Sequence, residues 1–192
     1  MFIHRHRRLV VGSIRLTAIA AALLMLTVLT VTRSQAAFSD TTANTGNSFA
    51  SGSVILTDDD SGTAMFTVTA MTPGTPAVEC ITVTYSGSLT PADIRMYGTS
   101  SGALAPYLDT TIEVGTGGSF GDCTGFTPSS TIFNDTLANY TTSHTNWTTG
   151  LAAFTAAANP TSRTLSFTVD VQNDPAAQTQ TASADFTFEA QD

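Results

Sequence analysis

Two kinds of hydrophobic pattern divide the chain. From Leu16 to Val31 the residues are mostly apolar, with Ala20–Leu26 at the centre, and a basic stretch over residues 1–13 precedes them. From Ser53 onward the pattern changes to short segments in which apolar and polar positions alternate, separated by Gly, Pro, Asn and Asp. The first run is short for a membrane span and leads into Ser34-Gln35-Ala36, small residues one and three positions before a cut. This is the layout of a signal peptide over residues 1–36, cleaved between Ala36 and Ala37. An uncleaved anchor is the alternative reading. Arg7-Arg8-Leu9-Val10-Val11 has twin-arginine character, but the hydrophobicity of the run favours general secretion.

Residues 37–52 read as a polar, turn-rich N-terminal arm, and residues 53–192 as the folded domain. Within the domain the two-residue period predicts strands at Ser53–Thr57 and Thr63–Thr69, with Asp58-Asp59-Asp60-Ser61-Gly62 turning between them. In the second, Ala64, Phe66 and Val68 share one face and Met65, Thr67 and Thr69 the other. Val78–Tyr85 is a strong strand with Ile81, Val83 and Tyr85 on one face. Ile94–Tyr97 and Tyr107–Val114 follow, separated by Gly98-Thr99-Ser100-Ser101-Gly102, and Gly115–Ser130 reads as a loop. Between Asn134 and Phe154 the apolar residues recur at mixed helical spacings, which predicts one or two short helices or an irregular cap. Thr164–Val171 and Ala182–Ala190 alternate cleanly, with Leu165, Phe167, Val169 and Val171 inward on the first and Ala184, Phe186 and Phe188 inward on the second. About eight short strands and almost no sustained helix predict an all-β, antiparallel β-sandwich.

Charge sharpens the division. Five of the seven basic residues lie before Ala37, leaving Arg95 and Arg163; all fifteen acidic residues lie after it, and there is no lysine. Removing residues 1–36 from the 192 leaves 156 residues, enough for one sandwich with a core, carrying a net charge of −13. Such a surface repels phosphate backbones, so nucleic acid is not an expected partner. Without lysine, isopeptide staples and lysine-linked covalent polymers cannot form, so any assembly is non-covalent. Contact with a membrane is expected only through the leader.

The two cysteines, Cys80 and Cys123, both fall in the exported part. An even count in an oxidising compartment makes a Cys80–Cys123 disulfide the default, against a pair of buried thiols or an incomplete metal pair. No catalytic site or cofactor is expected. After the leader only His144 remains, without a neighbouring carboxylate, which is too few ligands for catalytic zinc. Gly98-Thr99-Ser100-Ser101-Gly102 formally matches the G-x-S-x-G nucleophile elbow but lacks the strand–turn–helix context that elbow needs. Asp58, Asp59 and Asp60 are a weak Ca²⁺ candidate, with a solvated hairpin turn as the plainer reading. Sequons at Asn134, Asn139 and Asn146 predict exposure of those positions. Trp147 and the tyrosines are read as core rather than as a ligand groove.

Ala37-Phe38-Ser39-Asp40, followed by Asn47-Ser48-Phe49-Ala50-Ser51-Gly52-Ser53-Val54-Ile55-Leu56, resembles the start of mature proteins of the TasA/camelysin family, which carry a SipW-type signal peptide. Ala184-Asp185-Phe186-Thr187-Phe188-Glu189-Ala190 resembles that family's last strand, while the middle of the chain matches only in style. The resemblance implies a jelly-roll version of the sandwich. It also implies a secreted surface or extracellular-matrix protein that self-associates into filaments by donor-strand exchange. The arm Ala37, Phe38, Ser39, Asp40 to Phe49 would be the donor, with Phe38 as leading anchor and Phe49 as the second. Other surface or matrix components are further candidate partners. The protease classification within that family finds no support in these residues. A monomeric cell-surface module recognising polysaccharide or protein is the alternative, and a secreted hydrolase a distant third.

Overall fold

The computed structural model describes residues 51–192, and Ala50–Asp192 is a compact unit by itself. The signal peptide, the cleavage pair Ala36 and Ala37, and the arm from Ala37 through Phe49 lie outside the described residues.

The core is organised by one strand. Thr161–Val171, hereafter β7, alternates as its sequence predicts, and Leu165 and Phe167 are fully buried. It is paired antiparallel on both sides: with β2 (Ala77–Tyr85) from Ala77 opposite Val169 to Tyr85 opposite Thr161, and with β4 (Leu108–Thr116) from Leu108 opposite Val171 to Gly115 opposite Thr164. β-Branched residues dominate these three strands and pack well on a pleated surface. β1 (Leu56–Asp58) adds to β2, and β5 (Thr127–Thr136) adds to β4, which gives a five-stranded sheet in the order β1-β2-β7-β4-β5.

Facing it is a three-stranded sheet, β6-β3-β8, built from β3 (Ala92–Ser101), β6 (Leu151–Ala156) and β8 (Ser183–Gln191). Ile94 and Met96 of β3 meet Ile81, Val83, Ile112, Leu165 and Phe167 of the larger sheet in one cluster. A single helix among the described residues, α1 (Leu137–Ser143), caps one end. The Thr136 hydroxyl accepts from the Asn139 amide at its N-terminus, and Leu137 and Tyr140 are its buried residues.

The antiparallel sandwich is thus the observed fold, with eight strands among the described residues. Four elements differ from the sequence reading. Gly98–Ser101 is not a loop but the second half of β3, because its pairing with β8 runs unbroken from Asp93 to Ser101 and overrides the small-residue composition. β5 occupies residues read partly as loop and partly as helix; it is an edge strand, exposed on both faces over its first half, and so carries no alternation. β6 lies inside the predicted cap. Thr63–Thr69 forms no strand, for it finds no partner among the described residues. The strand pairing establishes the antiparallel sandwich and not its jelly-roll version. The strands divide five and three, and the smaller sheet has no further strand along β8 among the described residues.

Candidate functional site

The sandwich presents four sheet edges, and three are blunted. β1 is three residues long. β6 has six residues and a register shift against β3 between Ile94 and Arg95. β5 is ten residues long but carries Pro128 and two register shifts against β4. Short strands, proline and bulges are the usual devices that stop one sheet from adding to another. The outer edge of β8 has none of them: nine residues without proline, in unbroken register with β3 from Ser183 to Gln191.

The burial of β8 records the same opening. Its inward residues Ala184, Phe186 and Phe188 are only half-buried, whereas Ile94 and Met96 on the neighbouring β3 are fully buried. Phe186 is held at the floor by aromatic contacts with Phe167 (ring centroids 4.9 Å apart) and Tyr140 (5.5 Å). Beside β8 lies an open cavity of about 960 Å³ whose apolar lining includes Ile81, Leu108, Val169, Val171, Phe186 and Phe188. The segment Thr63–Met71, hereafter the strap, also lines it. Met65, Phe66 and Met71 of the strap pack against the core, while Val68 stays 48% exposed.

The strap is fixed at both ends by carboxylates. Asp59 accepts from the Thr82 amide and, through its other oxygen, from the Phe120 amide, both at 2.8 Å. It therefore joins the strap's entry to β2 and to the loop that carries Cys123. At the exit, both oxygens of Asp170 accept from the Gly74 amide at 3.1 Å. These clamps explain what became of the weak Ca²⁺ candidate. Asp59 is taken up by backbone amides, Asp60 accepts from Gly62 N at 2.6 Å, and among the described residues no three His, Cys, Asp or Glu side chains form a metal-binding group. Burial raises the Asp58 carboxyl above its ordinary value of 3.8, and a hydrogen bond with Asp60 and its charge add to the rise.

Cys80 and Cys123 are joined as a disulfide that fastens the 117–126 loop to β2, with the Gly121 amide donating to Cys80 O at 3.1 Å. The serine of the G-x-S-x-G match does not meet the histidine. The Ser100 hydroxyl is hydrogen-bonded to that of Thr141 at 2.6 Å, and His144 Nδ1 lies 2.6 Å from Thr149 O. His144 also packs against Phe133 and Tyr140 in an aromatic cluster. Tyr140 is fully buried and its hydroxyl has no partner among the described residues; desolvation pushes its pKa upward. Trp147 is half-buried beneath Arg95, with the guanidinium carbon 5.0 Å from the ring centroid, rather than in the core. Asn134, Asn139 and Asn146 are exposed, as the sequons predicted. A second, hydroxyl-lined recess of about 450 Å³ lies where β3 ends against α1, with Ser100, Ser101, Thr141 and Thr142 on its walls.

Sequence reasoning found the inward face of β8 but not its open edge, because an edge is a property of pairing and not of the strand itself. Nor did any signal mark Asp59 and Asp170 as clamps, since their amide partners are 23 and 96 residues away. No helix among the described residues is long and apolar enough to cross a membrane. No protein-family model matches the chain, and comparison with curated proteins finds no match.

Proposed function

We propose that this chain is an exported, non-enzymatic structural protein of the cell surface or extracellular matrix whose copies join into filaments by strand addition. One observation carries the reading: the unblunted edge of β8 beside an apolar cavity, in a sandwich whose other edges are all blunted. An extended peptide entering there gains main-chain hydrogen bonds from β8 and buries apolar side chains against Phe186 and Phe188. The donor is the N-terminal arm Ala37–Phe49 of a neighbouring copy, on the resemblance of Ala37-Phe38-Ser39-Asp40 to the TasA/camelysin family. Because donor arm and acceptor edge are different surfaces, the contact is head-to-tail and propagates as an open filament. The disulfide fits the oxidising compartment this reading requires.

The test is negative-stain electron microscopy of the chain begun at Ala37, at low and moderate salt. Filaments of uniform width are expected, and deletion of Ala37–Asn47 is expected to leave folded single particles. A deleted chain that still polymerises would sink the donor-strand reading. The hydroxyl-lined recess beside Ser100 and Thr141 favours a second reading, a monomeric module that binds polysaccharide. Single particles at every salt, together with saturable glycan binding that is lost in Thr141→Val, would replace the first reading with the second.

A further inference from the structure

We infer that the strap is the second half of the acceptor, so that an incoming strand is paired on both edges, by β8 on one side and by the strap on the other. This rests on the strand-addition reading and extends it to a surface that reading does not require.

The strap has the sequence of a strand but none of a strand's bonds to the other described residues. Thr63–Thr69 alternates with a two-residue period, yet from Ala64 to Met71 no backbone group makes a hydrogen bond to another described residue. Ser61 (φ 52°) and Ala70 (φ 55°) bound it, two non-glycine residues in the left-handed region, which leaves Thr63–Thr69 between them as the stretch free to extend. The adjacent Met65 and Phe66 are both half-buried, and Val68, which alternation puts on the same face as Phe66, stays exposed. Such a pattern is that of a strand without a neighbour to impose its pleat. Pairing would set Ala64, Phe66 and Val68 to one face together.

The cavity offers a place for that neighbour. Both the strap and β8 line the cavity, and its volume of about 960 Å³ takes several apolar side chains. The Asp59 and Asp170 clamps fix both ends of the strap, while Met65, Phe66 and Met71 rest against the core. A strand entering between the two meets, on both sides, backbone groups that have no partner among the described residues. The arm Ala37–Phe49 of a second copy is the occupant: its thirteen residues exceed the nine of β8.

Hydrogen–deuterium exchange on the chain lacking Ala37–Asn47, whose acceptor is not filled by its own copies, with and without excess synthetic Ala37–Phe49 peptide, separates the possibilities. The expected result is new protection in two places at once, Ala64–Thr69 and Ser183–Gln191. Protection of β8 alone overturns the two-sided acceptor and leaves strand addition standing, while protection of neither overturns both. A second measurement uses Thr67→Pro. Thr67 is exposed and its amide has no partner among the described residues, so the substitution leaves the free subunit folded while removing one donor and the strand geometry around it. Peptide affinity is expected to fall about tenfold, the effect of losing one or two backbone hydrogen bonds. Unchanged affinity in Thr67→Pro refutes pairing by the strap.

Discussion

Two aspartates on this surface are perturbed in opposite directions, and their effects on stability should separate with pH. The Asp135 carboxylate accepts from the Thr136 amide at 2.7 Å and from the Asn139 side chain at 2.9 Å, bonds that hold its pKa below 3.8. Asp58 is pushed above 3.8, first by desolvation and then by Asp60. For a depressed carboxyl the stabilisation is present above the unfolded pKa and is lost as pH falls through the folded value; for a raised one it is present below the unfolded pKa and is lost as pH rises through the folded value. Asp135→Asn is therefore expected to lower the thermal midpoint at pH 7, with the deficit closing below about pH 4. Asp58→Asn is expected to raise the midpoint at pH 7, and that gain disappears in the same acid range. Melts of the three proteins from pH 2 to 7 check both signs, and a constant offset across the range would remove the carboxyl charge as the cause.

The strands that were legible in the sequence are those whose two faces differ. β7 and β8 could be read residue by residue because each buries one face, and β2 because Ile81, Val83 and Tyr85 alternate with smaller polar residues. β5 was not legible, since an edge strand exposed over its first half has no faces to distinguish, and the small residues ending β3 look like a loop until β8 lies beside them. Cys80 made part of β2's other face misleading: it is fully buried although it alternates with the core residues, because the 117–126 loop covers it. That loop is held mainly by the disulfide, the Gly121–Cys80 bond and the Asp59 clamp. With a sequence separation of 43 between the cysteines, reduction or Cys123→Ser is expected to cost about 4 kcal/mol through the greater entropy of the unfolded chain. Denaturant melts with and without reductant measure it. A loss under about 1 kcal/mol would mean that the clamp and the packing alone hold the loop.

At the scale of the whole molecule, charge opposes the contact that the open edge invites. The chain after Ala37 carries −13, and only Arg95 and Arg163 offset its carboxylates. Arg95 is engaged beneath its own surface, with Trp147 under the guanidinium and Nη1 donating to Trp147 O at 3.3 Å, so it offers little to a neighbouring copy. β8 itself carries Asp185 and Glu189, and Asp185 lies on the rim of the cavity. Two copies approaching head-to-tail thus meet like charges over most of their surfaces, while the attraction is confined to apolar side chains and backbone hydrogen bonds at one groove. Repulsion of this kind reaches ~30 Å at 0.01 M salt but only ~10 Å at 0.1 M, whereas apolar burial and main-chain pairing are little screened. Assembly of the chain begun at Ala37 is accordingly expected to begin at lower protein concentration as sodium chloride rises from 0.01 to 0.15 M, a range over which nucleic-acid-type or ion-pair-driven contacts weaken. Sedimentation of pelletable polymer against protein concentration at each salt gives the threshold. A threshold that rises with salt would mean that ion pairs, not strand addition at β8, hold the copies together.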